Sequence, residues 1–398
     1  MAERKASARE KQAQLDAELM TRALRAAKSG DPSPNPHVGA VVARGGKLIS
    51  VGHHARCGGP HAEVVALRRA GKRARGATLY VTLEPCNHHG RTPPCTEAIL
   101  AAGVARVVVG CADPAPHVPG AYARLRKQGV EVQHDVLEEQ ARRLIADFTK
   151  VRTRGLPWVT LKAAVTLDGR TAARSGESKW ITGPASRKEA HRMRVQSDAV
   201  LVGVGTVLAD DPELTVRAVR GRNPLRVVLD SQLRTPLDAK LVTSAREVPT
   251  LVLHAPDASA ERATALRAQG VVTAEVEKAQ GGRGVDVEAA LRELARRNVV
   301  RVLVEGGAQV HAALLAAGLV DAAAVFVAPR ILGDMQAIPL VASDVPRSLA
   351  NAFVLAQPEV VRLGDDVLFR GDISILQADA PSRSGAAAKA GPRKTTRL

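Results

Sequence analysis

The sequence predicts an α/β protein made of two consecutive α/β units, and three observations predict it. Apolar, strand-like runs alternate with helix-like stretches over most of the chain. Its 398 residues are long for one domain and comfortable for two. The alternation pauses at the polar stretch DFTKVRTRGLP (147–157), a plausible junction, and then restarts.

Residues 1–19 read as a polar extension, helical or frayed, ahead of a first unit over 20–150. DAELMTRALRAAKSG spaces Leu19, Ala23 and Ala26 along one helical face and stops at Gly30. PSPNPHVGAVVARGGKLISVGHH (32–54) gives a Pro-rich loop, a strand, a Gly-Gly turn and a second strand. PHAEVVALRRAG is a helix opened by Pro60 and closed by Gly71. ATLYVTLEP is a strand, CTEAILAAG a helix ended by Gly103, and VARVVVGCAD another strand. GAYARLRKQGVEVQHDV adds a helix and a strand.

The second unit spans 151–377. It starts with WVTLKAAVTLDGR, and its strands are DAVLVGVGTV, LRVVLDS, PTLVLHAP, VVRVLVEGG and AAAVFVAPRIL. Helices fall at SRKEAHRMRVQ, VDVEAALRELARR and QVHAALLAAG. The Ala/Gly/Ser/Pro/Arg composition of 378–398 predicts a disordered basic tail.

The formal net charge is +17, which favours anionic ligands such as phosphates or a dinucleotide. Nucleic acid is disfavoured, because aromatic residues, at 2%, are too few to build stacking platforms. No stretch has the roughly 18 uninterrupted apolar residues of a membrane span. The first residues lack the apolar core of a secretory signal. Four cysteines in so long a chain do not make a disulfide scaffold, so a cytoplasmic location is expected.

The chemistry concentrates in EPCNHHGRTPPCTEAIL (84–100). It suits a disulfide loop, a closed zinc knuckle, or part of a catalytic metal site. A structural zinc is closed by four protein ligands; a catalytic one keeps three and an open position. Upstream, CGGPHAEV places His61 and Glu63 at the start of a helix. His-x-Glu followed by Pro-Cys…Cys is the pattern of zinc nucleobase deaminases, where one His and two Cys hold the metal and the Glu moves protons. Cys86 falls at a strand tip, while Cys95 opens a helix whose dipole favours a thiolate. A knuckle closed by His88 or His89 would leave Glu63 without a role, so both histidines read as loop or substrate contacts. Cys57 and Cys111 read as inert small residues. One feature departs from the pattern: eight residues separate Cys86 and Cys95, not two.

SPNPHVGAVV, GGPHAEVVAL and YVTLEPCNHHGRTPPCTEAIL resemble the deaminase domain of the bifunctional riboflavin-biosynthesis deaminase/reductase family, which typically has this long Cys–Cys spacing. The resemblance implies that His61, Cys86 and Cys95 bind zinc and that Glu63 is the proton shuttle. It further implies that Asn35, His54 and Arg91 touch the substrate, Arg91 suiting a 5′-phosphate. His37 stands where Asn is frequent, and Asn87 where Ser is frequent.

Read alone, VLVEGGAQVHAALLAAG is a strand, a bare Gly-Gly turn and a helix N-terminus, together an anion site. GVGTVLADDPELTVR is only a weak dinucleotide fingerprint. WVTLKAAVTLDGRTA, SGESKWITG, LVGVGTVLADDPELTVR, VVLDS and VEGGAQVHAALL resemble the reductase domain of the same family, which is similar to dihydrofolate reductase and uses NADPH. Carried over, NADPH contacts fall around Ala164, Trp180, Thr206, Asp210, Ser231 and Gly307. The sugar phosphate meets Ser178, Arg194, Leu214, Arg217 and Glu305. Lys162 and Asp168 are the ionisable residues best placed in sequence to aid hydride transfer.

The resemblance covers roughly residues 20–375. It implies a cytidine-deaminase-like α/β/α sandwich followed by a dihydrofolate-reductase-like α/β domain. It also implies two consecutive reactions on a phosphorylated pyrimidine, one zinc ion per chain, and a homo-oligomer. The competing reading is a nucleoside or tRNA deaminase with an unrelated C-terminal domain.

Overall fold

In the first half, inner strands whose side chains are buried on both faces alternate with helices that pack over them. A computed structural model of the protein describes residues 2–90, 92–114, 120–282, 284–345 and 347–375. The elements of this half are α1 (Ala2–Ala27), β1 (Gly39–Arg44), β2 (Lys47–His53), α2 (Ala62–Ala70), β3 (Thr78–Leu83), α3 (Cys95–Ala102), β4 (Arg106–Cys111), α4 (Ala121–Lys127), β5 (Glu131–Gln133), α5 (Glu138–Leu144) and α6 (Ala146–Arg154). The five strands form one sheet in the order β2-β1-β3-β4-β5. β1 runs antiparallel to both of its neighbours, and β3, β4 and β5 are parallel. β3 and β4 sit in the middle and are almost wholly buried. Helices cover both faces. Leu19, Met20 and Ala23 of α1 pack with Val41, Tyr80 and Val108, while Ala66, Leu67 and Ile99 from α2 and α3 pack with Ala40, Val42, Leu79 and Val109. These two faces make the expected sandwich.

Two boundaries differ from the sequence reading. The polar extension is continuous with α1 and is tied down before residue 19. Asp16 is buried, and its carboxylate accepts hydrogen bonds from Tyr80 Oη (2.9 Å) and from both terminal nitrogens of Arg106 (2.8 Å each). The stretch expected as a junction is largely the helix α6, closed by Gly155 at φ 66°. Lys150 Nζ anchors it, 2.5 Å from Asp321 Oδ2 in the second half.

The second half comprises β6 (Trp158–Val165), β7 (Arg170–Ala172), α7 (Pro184–Val195), β8 (Ala199–Gly203), α8 (Val204–Asp210), β9 (Leu225–Leu229), α9 (Lys240–Thr243), β10 (Thr250–His254), α10 (Ala260–Ala268), β11 (Val272–Glu275), α11 (Val287–Arg296), β12 (Arg301–Gly306), α12 (Ala308–Ala316), β13 (Ala322–Val327), β14 (Ile338–Pro339), β15 (Phe353–Leu363) and β16 (Asp366–Ile375). Nine strands make one sheet, β11-β10-β9-β8-β12-β6-β13-β16-β15. The strands from β11 to β13 are parallel, and β16 and β15 return antiparallel at one edge. β8 and β10 are buried at every position, as central strands covered by helices on both faces must be. Asp286 caps α11 by accepting the Ala289 amide at 2.7 Å.

The β15–β16 hairpin is absent from the sequence reading. Pro358 and a register shift between Ala356 and Glu359 break the period-two pattern that would have shown it. The tail 378–398, read as disordered, lies outside the described residues.

Candidate functional site

Three chain segments deliver the first site. His61 is the N-cap residue of α2, extended at φ −68° and ψ 161°, so its imidazole projects from the helix start. Cys86 follows β3, and Cys95 is the first residue of α3. The Cys95 amide donates to Cys86 Sγ (3.3 Å) and the Thr96 amide to the Cys86 carbonyl (3.3 Å), which folds the intervening loop back on the helix. His61 Nδ1 lies 3.2 Å from Cys95 Sγ and 3.5 Å from Cys86 Sγ. All three ligand atoms fall within 4.8 Å of one another. One imidazole nitrogen and two sulfurs are borderline-soft donors that suit zinc, and three of them leave a coordination position open.

The three side chains also bond to one another. Cys86 is lowered to about 4, first by the hydrogen bond from the Cys95 thiol and then by His61, against burial. Cys95 is raised by the same bond and by burial. His61 is raised by its bond to Cys86, against burial. Cys86 and Cys95 are not joined to each other by a disulfide, so the disulfide alternative falls. His88 and His89 are exposed and stand outside the ligand group.

Glu63, two residues along α2 from His61, is buried to 3% exposure. Burial pushes its carboxyl up, and Cys95 is within hydrogen-bond contact of it. It can therefore hold a proton in a dry site beside the ligands. His54 is also buried. Its Nδ1 donates to the Pro60 carbonyl (3.0 Å), which leaves Nε2 to accept from Asn35 Nδ2 at 3.0 Å. Burial keeps this imidazole neutral. Its ring stands edge-on to His61 with centroids 5.1 Å apart. Asn35, His54, His61 and Glu63 thus lie together. Arg91 lies outside the described residues. Arg124 of α4 braces the loop that follows Cys86. Its Nη1 donates to Asn87 Oδ1 (2.9 Å), which also accepts from Thr96 Oγ1 (2.9 Å).

The second site is a cavity of about 1170 Å³ at the C-terminal ends of the parallel strands. It is lined by Lys162, Ala164, Ser178, Trp180, Arg194, Thr206, Asp210, Leu214, Arg217, Ser231, Glu305 and Gly307, twelve residues expected from the sequence. Strand register explains the charged centre. β12 pairs β6 with Val304 opposite Leu161, so the next residues, Glu305 and Lys162, are neighbours. Lys162 Nζ lies 3.5 Å from Glu305 Oε2, and Arg194 of α7 makes a two-pronged pair with Glu305 at 2.5 and 2.9 Å. Burial pushes the Glu305 carboxyl up, but Arg194 and Lys162 outweigh it and hold it at about 2.

The floor of this cavity is glycine. Gly203 and Gly307 are the N-cap residues of α8 and α12. A Cβ on Gly306 would come 3.1 Å from Thr206 Oγ1, and Gly307 sits at φ +90°. The two helix starts can therefore approach a ligand with bare backbone. Ser178 Oγ donates to Asp210 Oδ1 at 2.7 Å, joining an expected substrate residue to an expected cofactor residue. This dinucleotide-sized, glycine-floored cavity fits NADPH.

Asp168 is not among the residues lining the cavity. It accepts Thr166 Oγ1 (2.6 Å) and the amides of Leu332 (3.2 Å) and Gly333 (2.9 Å). These bonds, with that from Thr166 the largest effect, hold its carboxyl at about 2. Its sequence position beside β6 suggested hydride transfer, and its geometry is that of a turn clamp.

Comparison with known proteins agrees. Residues 13–111 match the model of the cytidine and deoxycytidylate deaminase zinc-binding region, and residues 157–369 that of the RibD C-terminal domain. The riboflavin biosynthesis protein RibD of Aquifex aeolicus is 43% identical over 360 residues, covering 89% of this chain and 98% of that protein. Its Escherichia coli counterpart is 40% identical, covering 88% and 98%. The structure of Acinetobacter baumannii RibD superposes with a TM-score of 0.80 at 38% identity, covering 91% of this chain and 99% of that one. A deaminase/reductase from Thermotoga maritima gives 0.77 at 36%, covering 90% and 99%.

Fold and site together define a bifunctional enzyme, a zinc-dependent deaminase joined to an NADPH-dependent reductase. The chain belongs to the RibD family and carries out two steps of riboflavin biosynthesis. The alternative of a nucleoside or tRNA deaminase with an unrelated second half is not favoured. No helix among the described residues is long and apolar enough to cross a membrane.

Proposed function

We propose that the residues brought together above divide the two reactions between two separate sites, and that the enzyme works as a cytoplasmic homo-oligomer. At the first site the substrate is 2,5-diamino-6-(5-phosphoribosylamino)pyrimidin-4-one, and its 2-amino group leaves as ammonia. At the second, the ribosyl group of the deaminated product is reduced to ribityl. When bound, zinc supplies a water acidic enough to ionise near pH 7, and NADPH supplies the hydride.

His61, Cys86 and Cys95 hold the metal. Asn35 and His54 orient the pyrimidine, with His54 fixed as the Nδ1–H tautomer by the Pro60 carbonyl. Glu63 takes the proton of the attacking water and delivers it to the amino nitrogen. A carbon–oxygen bond forms, the carbon–nitrogen bond breaks, and ammonia departs. The buried carboxyl suits this shuttle, because burial favours its protonated state over that of an exposed carboxylate.

In the second site Arg194 and Arg217 face the phosphate, the ionised Glu305 braces Arg194 and accepts from a ribose hydroxyl, and Gly307 and Thr206 line the cofactor side of the cavity. Lys162, which lines the cavity beside Glu305, supplies the proton that the opening ribose oxygen requires once hydride reaches the anomeric carbon. The observation that carries the reading is the convergence of His61, Cys86 and Cys95 beside a buried Glu63. Glu63→Gln tests it: ammonia release falls at least about a hundredfold, while NADPH oxidation on the deaminated substrate persists. Equal loss of both activities in a folded variant would show that the two sites are wrongly assigned.

A further inference from the structure

The segment between α1 and β1 carries Asn35, and both of its ends are held by arginines from the other half of the chain. Arg301 opens β12. Its Nη2 donates to Asp31 Oδ1 at 2.9 Å and its Nη1 to His37 Nε2 at 3.4 Å. His37 Nδ1 donates to the Ala27 carbonyl (3.2 Å), so Nε2 carries the lone pair that Arg301 meets. Arg222 Nε donates to the other oxygen of Asp31 at 2.9 Å.

Asp198 braces both arginines from behind. Its Oδ2 accepts the Val300 and Arg301 amides at 3.1 and 2.9 Å, and its Oδ1 accepts Arg222 Nη2 at 2.7 Å and lies 3.5 Å from Arg301 Nη2. Asp147 Oδ2 adds a longer contact, 3.8 Å from Arg301 Nε. Around them the halves do not close on a core. A cleft of about 940 Å³ opens there, lined by Asp31, His37, Asp147 and Arg301 among others. Across this open cleft, polar contacts fix the placement of residues 31–37.

The path from Arg301 to the deaminase centre is short. Asp31 and His37 bracket Asn35, whose amide bonds His54, whose ring abuts His61. We propose that Arg301, a residue of the reductase half, is a positioning residue for the deaminase reaction: it sets the Asn35 segment against the pyrimidine. The proposal rests on Asn35 being a substrate contact. His37, which departs from the usual Asn of the family, then belongs to the tie between the halves and not to the pyrimidine pocket.

The test uses the full-length, zinc-loaded enzyme. Arg301→Gln raises the deaminase KM about tenfold with kcat changed less than about threefold, as expected when a binding group is displaced without touching the chemistry. Zinc stays at about one per chain, reductase kinetics on the deaminated substrate change less than about twofold, and Arg301→Lys restores part of the KM. Unchanged deaminase kinetics, or a proportional fall of both activities, would overturn the proposal. If Arg301→Gln does not fold, Asp31→Asn removes the other end of the same pair and carries the same expectations. Asn35→Ala run in parallel separates the two readings. A normal KM there removes the premise, whereas a defect there beside a normal Arg301→Gln overturns the positioning role alone.

Discussion

Replacing Glu305 by Gln leaves two buried cations facing a neutral amide. Side-chain exposures are 5% for Glu305, 13% for Arg194 and 16% for Lys162, so water does little to compensate. Removing one partner of a buried, hydrogen-bonded pair costs roughly 3–5 kcal/mol. The carboxyl itself gives a second route to the magnitude. Its shift from 4.5 to about 2 corresponds to about 3 kcal/mol favouring the ionised, folded form. The sign follows from the direction of the shift. A depressed carboxyl stabilises fully above its unfolded value, and that stabilisation is lost as pH falls through the folded one. The gap between wild type and Glu305→Gln is therefore full at pH 7 and narrows from about pH 4.5 down toward about 2. Both tryptophans, Trp158 and Trp180, lie in the second half, so their emission follows unfolding of that half alone. The midpoint should drop by about 6–12 °C at pH 7. A shift under about 2 °C, or one equally large at pH 2.5, would refute the reasoning.

Three further outcomes are expected. Cys86→Ser lowers bound zinc from about one per chain to well below half and abolishes ammonia release, read by metal analysis and an ammonia assay, with tryptophan-detected unfolding unmoved. Gly307→Ala places a Cβ at φ +90°, a strain of about 1–2 kcal/mol, and 3.4 Å from Val310; the KM for NADPH rises about tenfold while deaminase kinetics hold. Lys162→Met lowers reductase kcat about a hundredfold with NADPH binding retained, measured by titration of cofactor fluorescence.

Much of both sites is legible in the sequence because the positions obey local rules. His61 and Cys95 are recognisable because each opens a helix, and Cys86 because it follows a strand closed by Pro85. Gly307 is marked by the Gly-Gly turn between an apolar strand and a helix. What stays hidden depends on register and tertiary contact. Nothing local says that Lys162 and Glu305, far apart in sequence, lie side by side; that follows only once β6 and β12 are neighbours. Asp168 shows the opposite failure. It is an acid next to a site strand, and the structure spends it on the Leu332 and Gly333 amides. Arg301 and Arg124 look in the sequence like any surface arginine, and only the partners they meet distinguish them. The edge hairpin escaped because a bulge beside Pro358 interrupts its alternation.

The most direct measurement is a pair of progress curves on wild-type enzyme supplied with the diaminopyrimidine ribotide and NADPH, following ammonia and NADPH separately. Two sites acting in sequence predict that ammonia appears first, that NADPH falls after a lag, and that the two amounts end equal. NADPH consumption that precedes ammonia release, or proceeds without it, would contradict the account.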